Sequence, residues 1–196
     1  MALFDAFLKL DGIKGESADA KHKGEIDIMS FSWGMAQTGV SATGGGGGAG
    51  KVKVHDFSIT KKTDAASPLL MLNCASGAHI KEANFVVRKA GGEQLEYLKI
   101  KLTDVLVSSY KPLSNSGMIG GLGLNAAVFV KTISWSETAS PSGGQISSGG
   151  GDEIPVESVT LNFAKIEYSY QPQGADGKAQ GGPILAGWDV KANQKV

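Results

Sequence analysis

The chain has 196 residues, 19 basic and 19 acidic side chains that cancel to zero, and 28 glycines. That length fits one domain, 1–196, and 28 glycines with 6 prolines make about 17% of the chain, under the ~25–30% that marks low-complexity disorder. Zero net charge removes the basic surplus that phosphate binding needs, so no nucleic-acid partner is expected.

At the N-terminus, Met1–Leu10 places Asp5 inside its apolar stretch and has no basic flank, so it does not form a Sec signal peptide. The most apolar window, Met118–Val130, is broken by Gly120, Gly121, Gly123 and Asn125 and is too short to span a bilayer. No membrane association is expected, and any exit from the cell would need a route without a cleavable signal. The lone Cys74 excludes internal disulfides and cysteine-rich metal sites, and it points to folding in a reducing compartment, the cytoplasm.

Strand-like runs follow one another at Phe4–Leu10, Glu25–Thr38, Lys51–Thr60, Ile80–Lys89, Glu96–Tyr110, Ala127–Ser136, Pro155–Gln171 and Ile184–Val190. Turn residues separate them at Asp11-Gly12, Gly91-Gly92, Asp176-Gly177 and Gly181-Gly182-Pro183. One helix is signalled: Ser67 is placed to cap it, Pro68 suits its first turn, and Gly77 offers a left-handed stop. The fold class is mainly β, an antiparallel barrel or sandwich of about eight strands with one short helix of about ten residues.

Several runs change the phase of their apolar alternation. Ile26 and Ile28 give way to Met29, Phe31, Trp33 and Met35; Val52 and Val54 to Phe57 and Ile59. Likewise Leu98, Ile100 and Leu102 give way to Val105 and Val107, and Val159, Leu161 and Phe163 to Ile166, Tyr168 and Tyr170. Each switch moves the apolar stripe to the other side of the strand. A bulge near Thr103-Asp104 or Ala164-Lys165 absorbs such a switch inside one wall; alternatively the second face packs on another subunit. Four switches in one chain favour the second account for some of them. Opposite the large residues of Glu25–Thr38 lie Ser30, Ser32, Gly34 and Ala36, all small and uncharged. They fit either tight packing under the helix or the smooth wall of a channel.

Catalytic chemistry is not signalled. His22, His55 and His79 stand in separate segments without metal-ligand spacing, and the acids Asp11, Glu16, Asp19, Glu25 and Asp27 lack the pattern of a calcium loop. The run Gly44–Lys51 is followed by Val52 and a strand, where a phosphate-binding loop needs Ser or Thr and a helix. No cofactor, metal or catalytic residue is expected.

Taken as a set, the segments Phe7–Ser17, Gly24–Ile28, Ser32–Gly34, Gly44–Lys51, Ile80–Gly92, Glu96–Leu98, Val105–Ser109, Val159–Phe163, Tyr170–Gln173, Asp176-Gly177, Gly181–Pro183 and Gly187–Asp189 resemble the haemolysin-coregulated protein (Hcp) family of bacterial type VI secretion. The resemblance covers about four fifths of the chain. It implies a barrel beside one helix, assembled as a hexameric ring whose copies stack head to tail into a tube. The partners so implied are further copies of the chain, a VgrG-type spike, a contractile sheath and baseplate, and effector proteins held in the channel. The tube would form in the cytoplasm and then be driven out of the cell. Ser30, Ser32, Gly34 and Ala36 become candidate channel-wall residues, and the glycine-rich loop 37–50, with Thr43, Gly44, Gly45, Gly46, Gly47 and Gly48, a candidate ring-stacking element. Residues 111–153 are longer than the compact family pattern and contain the extra run Ala127–Ser136. The rival readings are a monomeric β-barrel ligand-binding module and an enzyme; particle size separates the first from a ring.

Overall fold

The computed structural model describes residues 4–37, 52–89, 94–113, 154–174 and 177–196. Among these, eleven strands and one helix follow in the order β1 (Phe4–Leu10), β2 (Ile26–Ile28), β3 (Ser30–Ser32), β4 (Met35–Ala36), β5 (Lys53–Val54), β6 (Phe57–Lys62), α1 (Ser67–Ser76), β7 (His79–Lys89), β8 (Glu96–Leu113), β9 (Val156–Tyr170), β10 (Ile184–Asp189) and β11 (Gln194–Lys195). The run Ala127–Ser136 lies outside the described residues. Seven expected strands are present, two of them subdivided, and β11 is additional.

Every pairing is antiparallel. The ladder runs β2–β1–β7–β8–β9, then divides along the far edge of β9. Val156–Leu161 of β9 pairs with β6, which pairs with β3, whereas Lys165–Tyr170 pairs with β10 and through it β11. The strands β4 and β5 form a separate two-stranded ribbon. Among the described residues no ladder joins β2 to β3 or β6, so the expected barrel is not closed by strand pairing alone. Its wall is completed by chain continuity at Met29, where β2 turns into β3 and the Met29 N–H donates to the Thr60 carbonyl at 2.8 Å. This turn explains the first phase switch: Ile28 is buried against the β1 side and Phe31 packs on Phe57 and Phe85 from the β6 side.

The switches in β8 and β9 have a common cause. In β7 the buried residues pass from Ile80 to Ala83, in β8 from Leu102 to Val105, and in β9 from Phe163 to Ile166, all facing one core. The ladders skip Lys81, Asp104 and Ala164, which sit at matching levels on the three strands. Asp104 has a φ of 55°, the left-handed region that an Asp enters more readily than most residues. A single bend line thus crosses the sheet and turns both halves of each strand inward, as a bulge would. Burial of Val105, Val107 and Ile166 therefore needs no second subunit, whereas Met29, Met35 and Tyr170 of the switched phases stay exposed.

At the centre, Phe57 and Phe85 meet edge to face at 5.2 Å, and both are fully buried. Fully burying such a side chain contributes about 1.5–3 kcal/mol. Helix α1 closes one end through Ala66 and Leu70, while Leu69, Met71 and Leu72 remain exposed. Its capping differs from expectation. The N-cap is Ala66 without a side-chain cap bond, and Asp64 instead accepts the Ala66 N–H at 2.9 Å. Ser67 is released for a buried network described below. Gly77 ends the helix at φ 66°, as its sequence position suggests.

Candidate functional site

The register of β3, β6 and β9 creates a face that no single strand reveals. Ser30 pairs with Thr60 and Thr60 with Ser158; Ser32 pairs with Ser58 and Ser58 with Thr160. Cross-strand partners share a face, so two rows of three hydroxyls lie side by side on the outside of the sheet. The inward neighbours Phe57, Ile59, Val159 and Leu161 are fully buried or nearly so, which forces the hydroxyl residues outward. Beside these rows, Ser108, the residue displaced by a bulge in β8, hydrogen-bonds Asp56 and Thr160, and Asn162 donates to Asp56 at 2.8 Å. The six hydroxyl residues carry no charge; beside them the carboxylate Asp56 is occupied by two neutral donors, and the exposed Lys111 of β8, paired with Ser158, ends one of the rows.

Ser30 and Ser32 are both exposed on this face. Gly34 and Ala36 do not extend their ladder: β3 stops at Ser32, Gly34 bonds His55 through its carbonyl, and Ala36 belongs to the β4–β5 ribbon. Thr43 and Gly44–Gly48 lie outside the described residues, as does 114–153 of the longer segment. Ser58, Thr60, Ser158 and Thr160 were missed in the sequence, although their alternation with Phe57, Ile59, Val159 and Leu161 was there to be read.

Beneath the hydroxyl face is a buried charge network. The Lys61 ammonium, fully buried, lies 2.7 Å from Asp64 and 3.1 Å from a fully buried Glu157, and it donates to Ser67 Oγ at 3.1 Å. Tyr110 donates its hydroxyl to Glu157 at 2.9 Å. Burial pushes the Glu157 carboxyl upward, but hydrogen bonds from Ser67, Lys61 and Tyr110 outweigh it and hold the group below its usual value. This network joins β6, α1, β8 and β9 where the latter two lead into residues 114–153. Its chemistry is structural: Lys61, Asp64 and Glu157 each have a charged partner.

On the other half of the sheet, across the bend line, the outer face is of opposite character. Lys101 pairs with Glu82 at 2.6 Å, Lys99 with Glu96 at 2.7 Å and Lys165 with Glu167 at 3.0 Å. A shallow depression of about 340 Å³ lies here between Asn84, Lys99, Lys101, Glu167 and Lys195. At its rim Ile184 and Leu185 of β10 are 63% and 71% exposed. Of the three histidines, His55 is exposed, His79 bonds Asp104 at 2.6 Å, and His22 is buried. Among the described residues, no group of three or more His, Cys, Asp or Glu side chains could hold a metal ion.

Comparison with known proteins agrees with this architecture. The family model for the type VI secretion system effector Hcp matches residues 7–170. Protein hcp1 of Pseudomonas aeruginosa is 44% identical over 190 residues, 96% of either chain. The crystal structure of Hcp1 from Salmonella typhimurium superposes with a TM-score of 0.69 at 34% identity over the whole of both chains. The structure of a type VI secretion effector from Yersinia pestis does so at 0.62 and 31%, covering 94% of this chain and 99% of that one. These relatives are secretion-system proteins rather than members of an enzyme family. The chain belongs to the Hcp family of type VI secretion system effectors.

Proposed function

We propose that this chain is a tube subunit of type VI secretion: six copies close into a ring, rings stack head to tail, and effector proteins ride in the channel. The observation that carries the reading is the registered hydroxyl face, with Ser30 and Ser32 at its β3 edge. A conduit for varied protein cargo needs a surface that offers hydrogen bonds without fixed charge, and Ser and Thr supply both donor and acceptor. A closed ring needs two different complementary patches on each copy. Two unrelated apolar patches, Leu69, Met71 and Leu72 on α1 and Ile184 and Leu185 on β10, answer that need.

On this proposal the loop 37–50, with Thr43 and Gly44–Gly48, meets the next ring, and residues 111–153 adjust that contact or the cargo. Gly34 and Ala36 continue the channel wall beyond β3. The remaining partners are a VgrG-type spike at the tip and the contractile sheath and baseplate around the tube. The subunit assembles in the cytoplasm and leaves the cell through the apparatus.

Native mass spectrometry and averaged electron micrographs test the ring. Six-fold particles with a central hole are expected; a monomer at micromolar concentration overturns the proposal and favours the ligand-binding module. Ser32→Arg then tests the wall. It is expected to leave rings intact and reduce retention of a co-expressed effector, whereas dissociated rings would assign that face to a subunit interface.

A further inference from the structure

The segment between β1 and β2 is a strap across the outside of the sheet. The Gly15 N–H donates to the Gly24 carbonyl at 2.9 Å, Gly24 donates to Ser17 at 2.8 Å and Ser17 to Glu25 at 3.0 Å, so residues 15–25 close on themselves. The strap covers Phe7, which belongs to the outer face of β1 and is nonetheless only 4% exposed. It does so with His22, whose ring stacks on Phe7 at 4.2 Å between centroids, while Arg88 of β7 lies 4.8 Å from the Phe7 centroid. The strap also reaches α1: Glu16 accepts the Ala65 N–H at 3.0 Å, just before the helix.

His22 itself is 5% exposed, and each ring nitrogen faces a carboxylate. Nδ1 lies 2.9 Å from Glu25 on the strap, and Nε2 lies 3.4 Å from Glu96 at the start of β8 without forming a hydrogen bond. A neutral imidazole carries one N–H, so it can serve one carboxylate and must turn a lone pair on the other; the imidazolium donates to both. We propose that His22 is a proton-operated clasp, its imidazolium bridging Glu25 and Glu96 to hold the strap over Phe7, and loss of one proton freeing the strap from β8.

The surrounding charges favour the clasped state. Around His22 stand Asp19, Lys21, Lys23 and Glu25 on the strap, Asp5 on β1, Asp27 on β2 opposite Phe7, Arg88 on β7, and Glu96 and Lys99 on β8. With Glu16, also on the strap, six acids stand against four fixed cations, an excess that a proton on His22 reduces. Burial works to raise the Glu96 carboxyl, but Lys99 and His22 hold it below its usual value, so it stays ionised to receive the bond. The folded strap binds the extra proton, so its stability is present at lower pH and lost as pH rises through the histidine range.

Trypsin cleavage after the exposed Lys21 and Lys23 of the full chain reads the strap directly, with rates divided by those for an unstructured lysine peptide at each pH. Between about pH 6 and about pH 8.5 the corrected rate is expected to rise about tenfold, the order of effect of losing one hydrogen bond to a charged group. Glu96→Gln, which keeps a neutral acceptor, is expected to flatten that rise. A corrected rate independent of pH, or the same rise in His22→Gln, overturns the clasp. Should either variant fail to fold, the ¹⁵N ring signals of the unaltered protein decide. Both His22 nitrogens protonated at about pH 6.5 support the clasp, and a single N–H there overturns it.

Discussion

The two outer faces of the sheet, separated by the bend line at Lys81, Asp104 and Ala164, solve the problem of exposure differently. On the β7–β10 half, lysines and glutamates pair along and across strands in solvent, an arrangement worth little energy that keeps a surface soluble. On the β3–β6–β9 half, hydroxyls replace charge, and the ion pair Lys61–Glu157 is taken beneath the surface. Charge on the first half is a solvated coat. On the second it is structural, and the outside is left smooth. The hydroxyl rows thus offer hydrogen bonds with few fixed charges, Lys111 at the β8 end being one of them.

The contrast can be broken most severely at Lys61. Lys61→Met leaves Glu157 buried and unpaired, and the expected loss is about 3–5 kcal/mol, read as a lower urea midpoint; Lys61→Met with Glu157→Leu should recover most of it. A midpoint unchanged in the single variant would mean that the pair is not desolvated. Gly15→Ala is next. A Cβ there would overlap the Glu25 carbonyl, and overpacking of this kind costs about 1–3 kcal/mol. The strap should loosen, with faster cleavage at Lys21, while the hydroxyl face stays folded.

Acid sharpens the comparison between halves. Arg88 pulls the Asp19 carboxyl down to about 2, and Glu82 is lowered chiefly by Lys101 and Asp104 chiefly by Lys191. Glu157 is lowered despite its burial. In each case the folded chain binds fewer protons than the unfolded one, so stability is present above the ordinary carboxylate range of about 4 and falls as pH drops below it. Urea midpoints between about pH 7 and about pH 3 should show that decline. Glu157→Gln should shrink it more than Glu82→Gln. The smallest effect belongs to the solvated coat: Lys101→Ala is expected to leave the urea midpoint unmoved within error, and a clear drop would remove the distinction between the faces.

Much of this was legible along the chain. The limits of β1 follow from alternation flanked by Asp11-Gly12, and the helix stop follows from Gly77, because both depend on residues a few positions apart. The helix start was misread at Ser67: its hydroxyl is taken by Lys61 and by the Asp64 N–H, partners that become competitors only once β6 and α1 are packed together. Ser30 and Ser32 were identified as a small, uncharged stripe, but the four hydroxyls beside them come from residues 58–60 and 158–160, a separation that only pairing closes.

The sequence by itself determined the class of the molecule, the helix that stops at Gly77, its uncharged β3 edge and, through the spacing of many short segments, its family. Those properties rest on local conformational preference and on which side chains avoid water. Only the tertiary structure decided that the apolar phase switches of β8 and β9 share one bend, that no ladder closes the wall beyond Met29 among the described residues, and that His22 lies between two carboxylates. Each depends on the register in which distant strands meet, and register is fixed by the packing of a whole core rather than by any one strand.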